Sequence, residues 1–109
     1  SIDYYRSAMS FLRKKTKTPR FFIFSDDIEW AKSAFSNESD CVFISEPWEN
    51  SLCDMSLMST CRHNIIANST YSWWGAWLNQ NPEKIVIAPS KWLATGQHTD
   101  IVPDSWIRM

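Results

Sequence analysis

The 109-residue sequence has almost no glycine, Gly75 and Gly96 being the two. A glycine-rich loop that brings backbone close to a phosphate is therefore excluded, and with it the Walker and GxGxxG modes of nucleotide binding. An excess of charge is also lacking, since 11 Lys and Arg stand against 12 Asp and Glu for a formal net charge of -1. That balance gives no long-range pull toward nucleic acid or anionic lipid, so no nucleic-acid partner is expected. No apolar run approaches the roughly 18 residues needed to span a bilayer. A secretory leader is not expected either, because Asp3 and Arg6 interrupt any apolar core near the start. The sequons at Asn37 and Asn68 are accordingly read as coincidence. Cysteine is sparse and odd in number, with Cys41, Cys53 and Cys61 lacking CxxC spacing. Three buried, reduced thiols in a reducing compartment are expected. With only His63 and His98 to join them, a metal site is not.

What the chain does have is a short apolar segment roughly every twenty residues, each followed by a helical pattern. Ile2, Tyr5, Ala8, Met9 and Leu12 recur at spacings of three and four, which draws one stripe on a helix over residues 2–15. Arg13, Lys14, Lys15, Lys17 and Arg20 crowd its end, as cations completing a helix C-terminus or as a phosphate-binding patch. Phe21 to Phe24 form a continuous apolar run, the pattern of a strand covered on both faces. Residues 28–35 read as a short helix, 41–44 as a second strand, 50–61 as a helix and 63–67 as a third strand. The aromatic stretch YSWWGAWLNQ reads as a helix, 84–88 as a fourth strand, and the last twenty residues as loop and tail. Parallel strands need crossover connections, so the expected class is α/β, a Rossmann-like parallel sheet of four strands flanked by helices. Residues 1–109 are expected to form a single domain.

In such sheets ligands bind beyond the carboxyl ends of the strands, and polar clusters occupy those places here. Asn68, Ser69 and Thr70 follow the third strand at once and open the aromatic helix. They read either as N-cap residues or as an anion cradle of unpaired amides, hydroxyls and a positive dipole end. Asp26 and Asp27, after Ser25 at the end of the first strand, suit a divalent cation, a helix cap or the hydroxyls of a sugar. Asp54 lies in line with Leu57, Met58 and Cys61 on an otherwise apolar stripe. A carboxylate so placed must swing to water or find adjacent N–H donors, such as the Watson–Crick edge of guanine. Seven tryptophans are more than one small core absorbs. Trp73 and Trp74, being adjacent, cannot share a helix face, so some ring must pack against something else, as core filling or as an interface to a second lobe or a sugar-stacking surface.

These residues resemble a known family. The run DMSLMSTCRHNIIANSTYSWWGAWL from Asp54 to Leu78, preceded by Phe22-Ile-Phe-Ser-Asp-Asp27 and Trp30 and followed by Lys84-Ile-Val-Ile-Ala-Pro89 and Trp92, resembles the carboxyl-terminal half of the α-1,2-fucosyltransferases, glycosyltransferase family 11. The resemblance implies a GT-B-type, two-lobed, inverting enzyme of carbohydrate metabolism that moves L-fucose from GDP-fucose to a galactoside hydroxyl without a metal. It implies that Asp54 meets the guanine, that Ser69, Thr70, Tyr71 and Ser72 lie around the diphosphate, that Ser25, Asp26 and Asp27 border the nucleotide sugar, and that Asn68 belongs to the same GDP-fucose-binding set. The family's HxRRGDY motif, whose arginine holds the phosphate, does not occur in these residues, since neither His63 nor His98 precedes Arg-Arg-Gly. The implied role is therefore that of the donor-binding lobe alone, with catalytic residues unassigned, the isolated chain inactive and its tryptophan surface prone to self-association. Three free cysteines favour a bacterial cytoplasm, whereas an animal member would sit at the Golgi membrane. Two rivals remain. A receiver-type signalling domain would need an Asp where Asn68 stands, and a non-catalytic carbohydrate-binding module would need many more glycine turns.

Overall fold

In the computed structural model, which describes residues 2–25, 27–44, 51–67, 70–90 and 102–109 with the side chains of 51–55 and 70 excepted, α1 runs over Ile2–Lys15. It buries Ala8, Met9 and Leu12 on one stripe and carries Asp3 in its first turn and Arg13, Lys14 and Lys15 in its last, the charge order that a helix dipole favours. β1 (Phe21–Ile23), α2 (Ile28–Ala34) and β2 (Cys41–Phe43) follow. β1 and β2 pair in parallel, Phe21 opposite Cys41 and Ile23 opposite Phe43, and α2 is the crossover that this direction demands. Phe22 is 48% exposed, so β1 is not covered on both faces as its unbroken apolar run suggests.

Arg13 closes this first unit, Ser1–Glu49. Its Nε and one Nη donate to the two carboxylate oxygens of Asp40 at 2.9 Å each, and the same Nη donates to Glu38 at 2.9 Å. The guanidinium carbon also lies 5.1 Å from the centre of the Phe21 ring. These bonds hold the Asp40 carboxyl below the usual carboxylate range. Arg13 is thus a tie between the helix end and the turn into β2, with the planar fork that lysine lacks.

The second unit, Asn50–Met109, comprises α3 (Ser51–Thr60), β3 (Asn64–Ile65), α4 (Thr70–Trp77), β4 (Val86–Ala88) and β5 (Ile107–Arg108). Its strands run in the order β3-β4-β5, all parallel. The four expected strands therefore pair in two groups, and a fifth lies in what reads as an unstructured tail. Ile107 pairs with Ile87, the Met109 amide donates to Ala88 at 2.9 Å, and Val102 and Trp106 are buried. Two strand residues are too few to leave a periodic trace, so tertiary pairing alone defines β5.

β4 is buried at all three positions, and Ile66, Ala76, Val102 and Trp106 pack around it with Trp73 against them. The aromatic helix splits its rings between core and solvent. Trp73 lies 5.9 Å from Trp106 and stacks on Trp77 at 5.1 Å, while Trp74 and Trp77 are about half exposed. α3 lies so close to α4 that a β-carbon on Gly75 would stand 3.0 Å from Met58 Cβ.

Two asparagines hold the connections that lead into β3 and β4. Asn79, 5% exposed, donates from Nδ2 to the Cys61 carbonyl at 2.6 Å and to Asn64 Oδ1 at 2.7 Å. Asn64 donates to the Met58 carbonyl at 2.8 Å, and the Asn81 amide donates to Asn79 Oδ1 at 2.9 Å. Burial costs these amides little because both ends are satisfied. α4 has no basic residue in its last turn, and Lys84 supplies that cation from outside, donating to the carbonyls of Ala76 at 3.0 Å and Asn79 at 2.9 Å. His63 accepts the Ile85 amide on Nδ1 at 2.8 Å, which requires the neutral ring.

Two outcomes follow for stability. Gly75→Ala should lower the free energy of unfolding by about 1–2 kcal/mol in urea titration, because the overpacking against Met58 outweighs a helix-propensity gain of at most about 1 kcal/mol. Burial, and then the charge of Arg62, hold the His63 pKa below its ordinary value. The unfolded chain therefore takes the proton first, so stability should fall as pH drops below about 6.5. His63→Gln should flatten that part of the curve relative to the native protein.

Candidate functional site

The polar residues singled out in the sequence lie in the two units, Ser25, Asp26 and Asp27 in the first and Asp54 and 68–72 in the second. Asp26, Asn68 and Ser69, and the side chains of Asp54 and Thr70, lie outside the described residues.

In the first group Asp27 is the N-cap of α2, and its Oδ1 accepts the Trp30 amide at 3.1 Å. Ser25 braces the same loop, its Oγ accepting the Asp27 amide at 3.0 Å and donating to the Asp27 carbonyl at 3.1 Å. Of the three chemistries open to the acidic pair, capping is therefore the one that Asp27 performs. Both residues are exposed, so the remaining lone pairs of the carboxylate stay available to a hydroxyl-rich ligand.

In the second group α4 begins at Thr70, where the capping sequence places it, and no acidic side chain stands in its first turn. Tyr71 and Ser72 are half-buried there. The Ser72 hydroxyl turns back toward the strand and donates to the Ala67 carbonyl at 3.1 Å. The stripe through Asp54 does not stay together as an apolar face. Met58 packs on Gly75, whereas Leu57 is 45% exposed.

The two described thiols are not reactive groups. Cys41 and Cys61 are free and half-buried, which corrects the expectation of full burial, and the side chain of Cys53 lies outside the described residues. Burial, with the charges of Asp40 and Glu38 behind it, pushes the Cys41 thiol up to about 11, and burial raises Cys61 as well. Neither supplies a thiolate near neutrality. Among the described residues no three His, Cys, Asp or Glu side chains gather as a cation site, and no helix is long and apolar enough to cross a membrane. Asn64, Asn79 and Lys84, invisible as a group in the sequence, all serve the ends of the strands opposite to these candidate residues.

Comparison with known proteins finds a match to the family model described as Glycosyl transferase family 11 over residues 1–109. The chain is 43% identical over 109 residues to the O-antigen biosynthesis glycosyltransferase WbnK of Escherichia coli, covering 99% of the chain and 36% of that protein. It is 39% identical over 112 residues to an alpha-1,2-colitosyltransferase of Escherichia coli, covering 97% of the chain and 38% of that protein. Against human galactoside alpha-(1,2)-fucosyltransferase 1 the identity is 30% over 81 residues, 69% of the chain and 21% of that protein. The chain thus spans little more than a third of the bacterial relatives' length. No solved structure matches it significantly.

The cap at Asp27 can be separated from any ligand role. Asp27→Ala should destabilise the protein by about 1 kcal/mol in urea titration, and Asp27→Asn, which keeps an accepting oxygen, should recover most of that. Equal losses in both variants would mean that the carboxylate charge, and not the cap, is what the fold uses.

Proposed function

Because the chain belongs to glycosyltransferase family 11, we propose that residues 1–109 are a single Rossmann-like domain, the GDP-fucose-binding lobe of a GT-B-type, inverting α-1,2-fucosyltransferase acting on a galactoside. The observation that carries this reading is the junction of β3 and α4. A parallel strand ending at Ile65 leads through Asn68 and Ser69 into a helix that starts at Thr70 with no acid in its first turn. Such a helix start offers amide donors and a positive dipole end to an anion, and here it does so without glycine.

In this reading the diphosphate lies against the first turn of α4, with Ser69, Thr70 and Tyr71 around it. The guanine presents its paired N–H donors to Asp54, and the loop Ser25-Asp26-Asp27 borders the sugar. The acceptor hydroxyl attacks C1 opposite to the leaving GDP through a transition state of oxocarbenium character, and a general base takes its proton. The lobe's share is electrostatic. Charge growing on the β-phosphate as the glycosidic bond breaks meets amides already aimed at it. The base and the acceptor site are assigned to the part of such an enzyme that these residues do not include. No divalent cation is required, since a hard cation wants several oxygen ligands and the Asp26-Asp27 pair has no further acidic residues at suitable spacing in the sequence.

A colitosyl donor is the second reading, favoured by the 39% identity to the alpha-1,2-colitosyltransferase. The setting we assign is a bacterial cytoplasm, and the two Escherichia coli relatives support its bacterial part.

Titration calorimetry of the chain with GDP and ADP tests the donor site. GDP should bind more tightly than ADP, binding should persist in chelator, and Asp54→Asn should cost about ten- to a hundredfold in GDP affinity, the worth of a charge-assisted hydrogen bond of roughly 1.5 to 3 kcal/mol. Equal affinities for the two nucleotides would remove the guanine assignment, and collapse in chelator would remove the metal-free one. Incubation of the chain with GDP-fucose and lactose should yield no fucosylated sugar by mass spectrometry. Product above the no-enzyme control would show that the lobe is a catalyst by itself.

A further inference from the structure

Ser72 stands in the first turn of α4, among the residues that resemblance assigns to the diphosphate, yet its hydroxyl is directed elsewhere. The Oγ donates to the Ala67 carbonyl at 3.1 Å, a bond that runs backward from the helix to the second residue beyond β3. A serine hydroxyl has one proton. With that proton on Ala67, the oxygen offers a phosphate only lone pairs, and phosphate oxygens are themselves acceptors. Direct ligation of the diphosphate by Ser72 would require this bond to break.

Both ends of the bond sit on fixed structure. Next to Ala67, Ile66 is 2% exposed and its amide donates to the Ile87 carbonyl of β4 at 2.9 Å. On the helix side, Ala76 is fully buried and Gly75 lies against Met58. A cap bond of the ordinary kind runs from a residue before the helix to an amide inside it and leaves the helix direction relative to the strand free. This one runs from the helix back to the segment leaving the strand, so it restrains that direction.

We propose that Ser72 is a positioning residue of the nucleotide site, one that aims the amino-terminal amides of α4 by bonding to Ala67 and does not touch the diphosphate. The inference rests on the donor-lobe reading. It deepens that reading by moving Ser72 from the ligand set to the frame that holds the ligand set in register, where sub-ångström placement decides how well fixed dipoles meet a phosphate.

The test compares the native chain with Ser72→Ala and Ser72→Thr. Amide hydrogen exchange of Tyr71 to Trp74 is measured by NMR without ligand, and affinities for GDP and for guanosine are measured by titration. In Ser72→Ala, exchange in the first turn should rise about fivefold and GDP affinity should fall about fivefold, the effect of one ordinary hydrogen bond. Guanosine, which has no phosphate, should bind within about twofold of the native affinity, the margin that double-mutant work treats as additive error. Ser72→Thr keeps the donor and should restore all three values. A fall in GDP affinity with exchange unchanged would make Ser72 a direct ligand, and an equal fall for guanosine would make the bond a general support of the fold. No change in either would make it idle. Each of these overturns the proposal. Failure of the native chain to bind GDP would instead remove the donor-lobe reading, and this inference with it.

Discussion

The second unit depends on the burial of one strand. β4 is flanked by β3 and β5 and buried at Val86, Ile87 and Ala88, and removing a Val or Ile side chain from water is worth roughly 1.5–3 kcal/mol. A strand with parallel neighbours on both sides cannot be reached by a hairpin, so the chain must return by crossovers, of which α4 is the one between β3 and β4. That return places the helix-to-strand connections at one end of the sheet and the strand-to-helix connections at the other. The first end is filled by the Asn64–Asn79 amides and Lys84, a polar arrangement bonded within itself and to backbone carbonyls. The second end carries the start of α4. Structural polarity and candidate chemistry are thus kept apart by the direction of the strands.

The first unit solves a different problem with a different force. β1 and β2 are short, and Phe22 is half exposed, so their pairing needs reinforcement from outside the sheet. Arg13 provides it through bidentate contact with Asp40, a further bond to Glu38 and its position over Phe21. The cluster of cations at the end of α1 therefore contains a residue with a specific structural task. Tyr5 and Trp30 add edge contacts to Phe35, which ties α1 and α2 through a single buried ring.

Tryptophan usage divides along the same lines. Trp106 is buried and Trp73 packs against the core beside it, while Trp74 turns outward from the adjacent position, as the helical rotation between neighbours requires. Trp77 uses one face on Trp73 and leaves about half its surface in solvent. Core filling accounts for part of the tryptophan content and not for all of it.

Local pattern was enough for the elements that are long or have punctuated ends. The stripe of Ala8, Met9 and Leu12, the Asp27 cap and the Asn68-Ser69-Thr70 start are short-range features, and α1, α2 and α4 begin where those features put them. The α/β class followed from alternation, because crossover geometry leaves few other arrangements. The family, too, was legible in residues 54–78. Three matters waited for tertiary contacts. β5 exists through pairing with β4, which no periodicity within Ile107–Arg108 announces. The exposure of Phe22 and Leu57 reflects which neighbours are present, and an apolar run does not specify its neighbours. The aim of the Ser72 hydroxyl toward Ala67 depends on the angle between a strand and the helix after it. A sequence names the donor, but only the folded chain decides which acceptor comes within 3.1 Å of it.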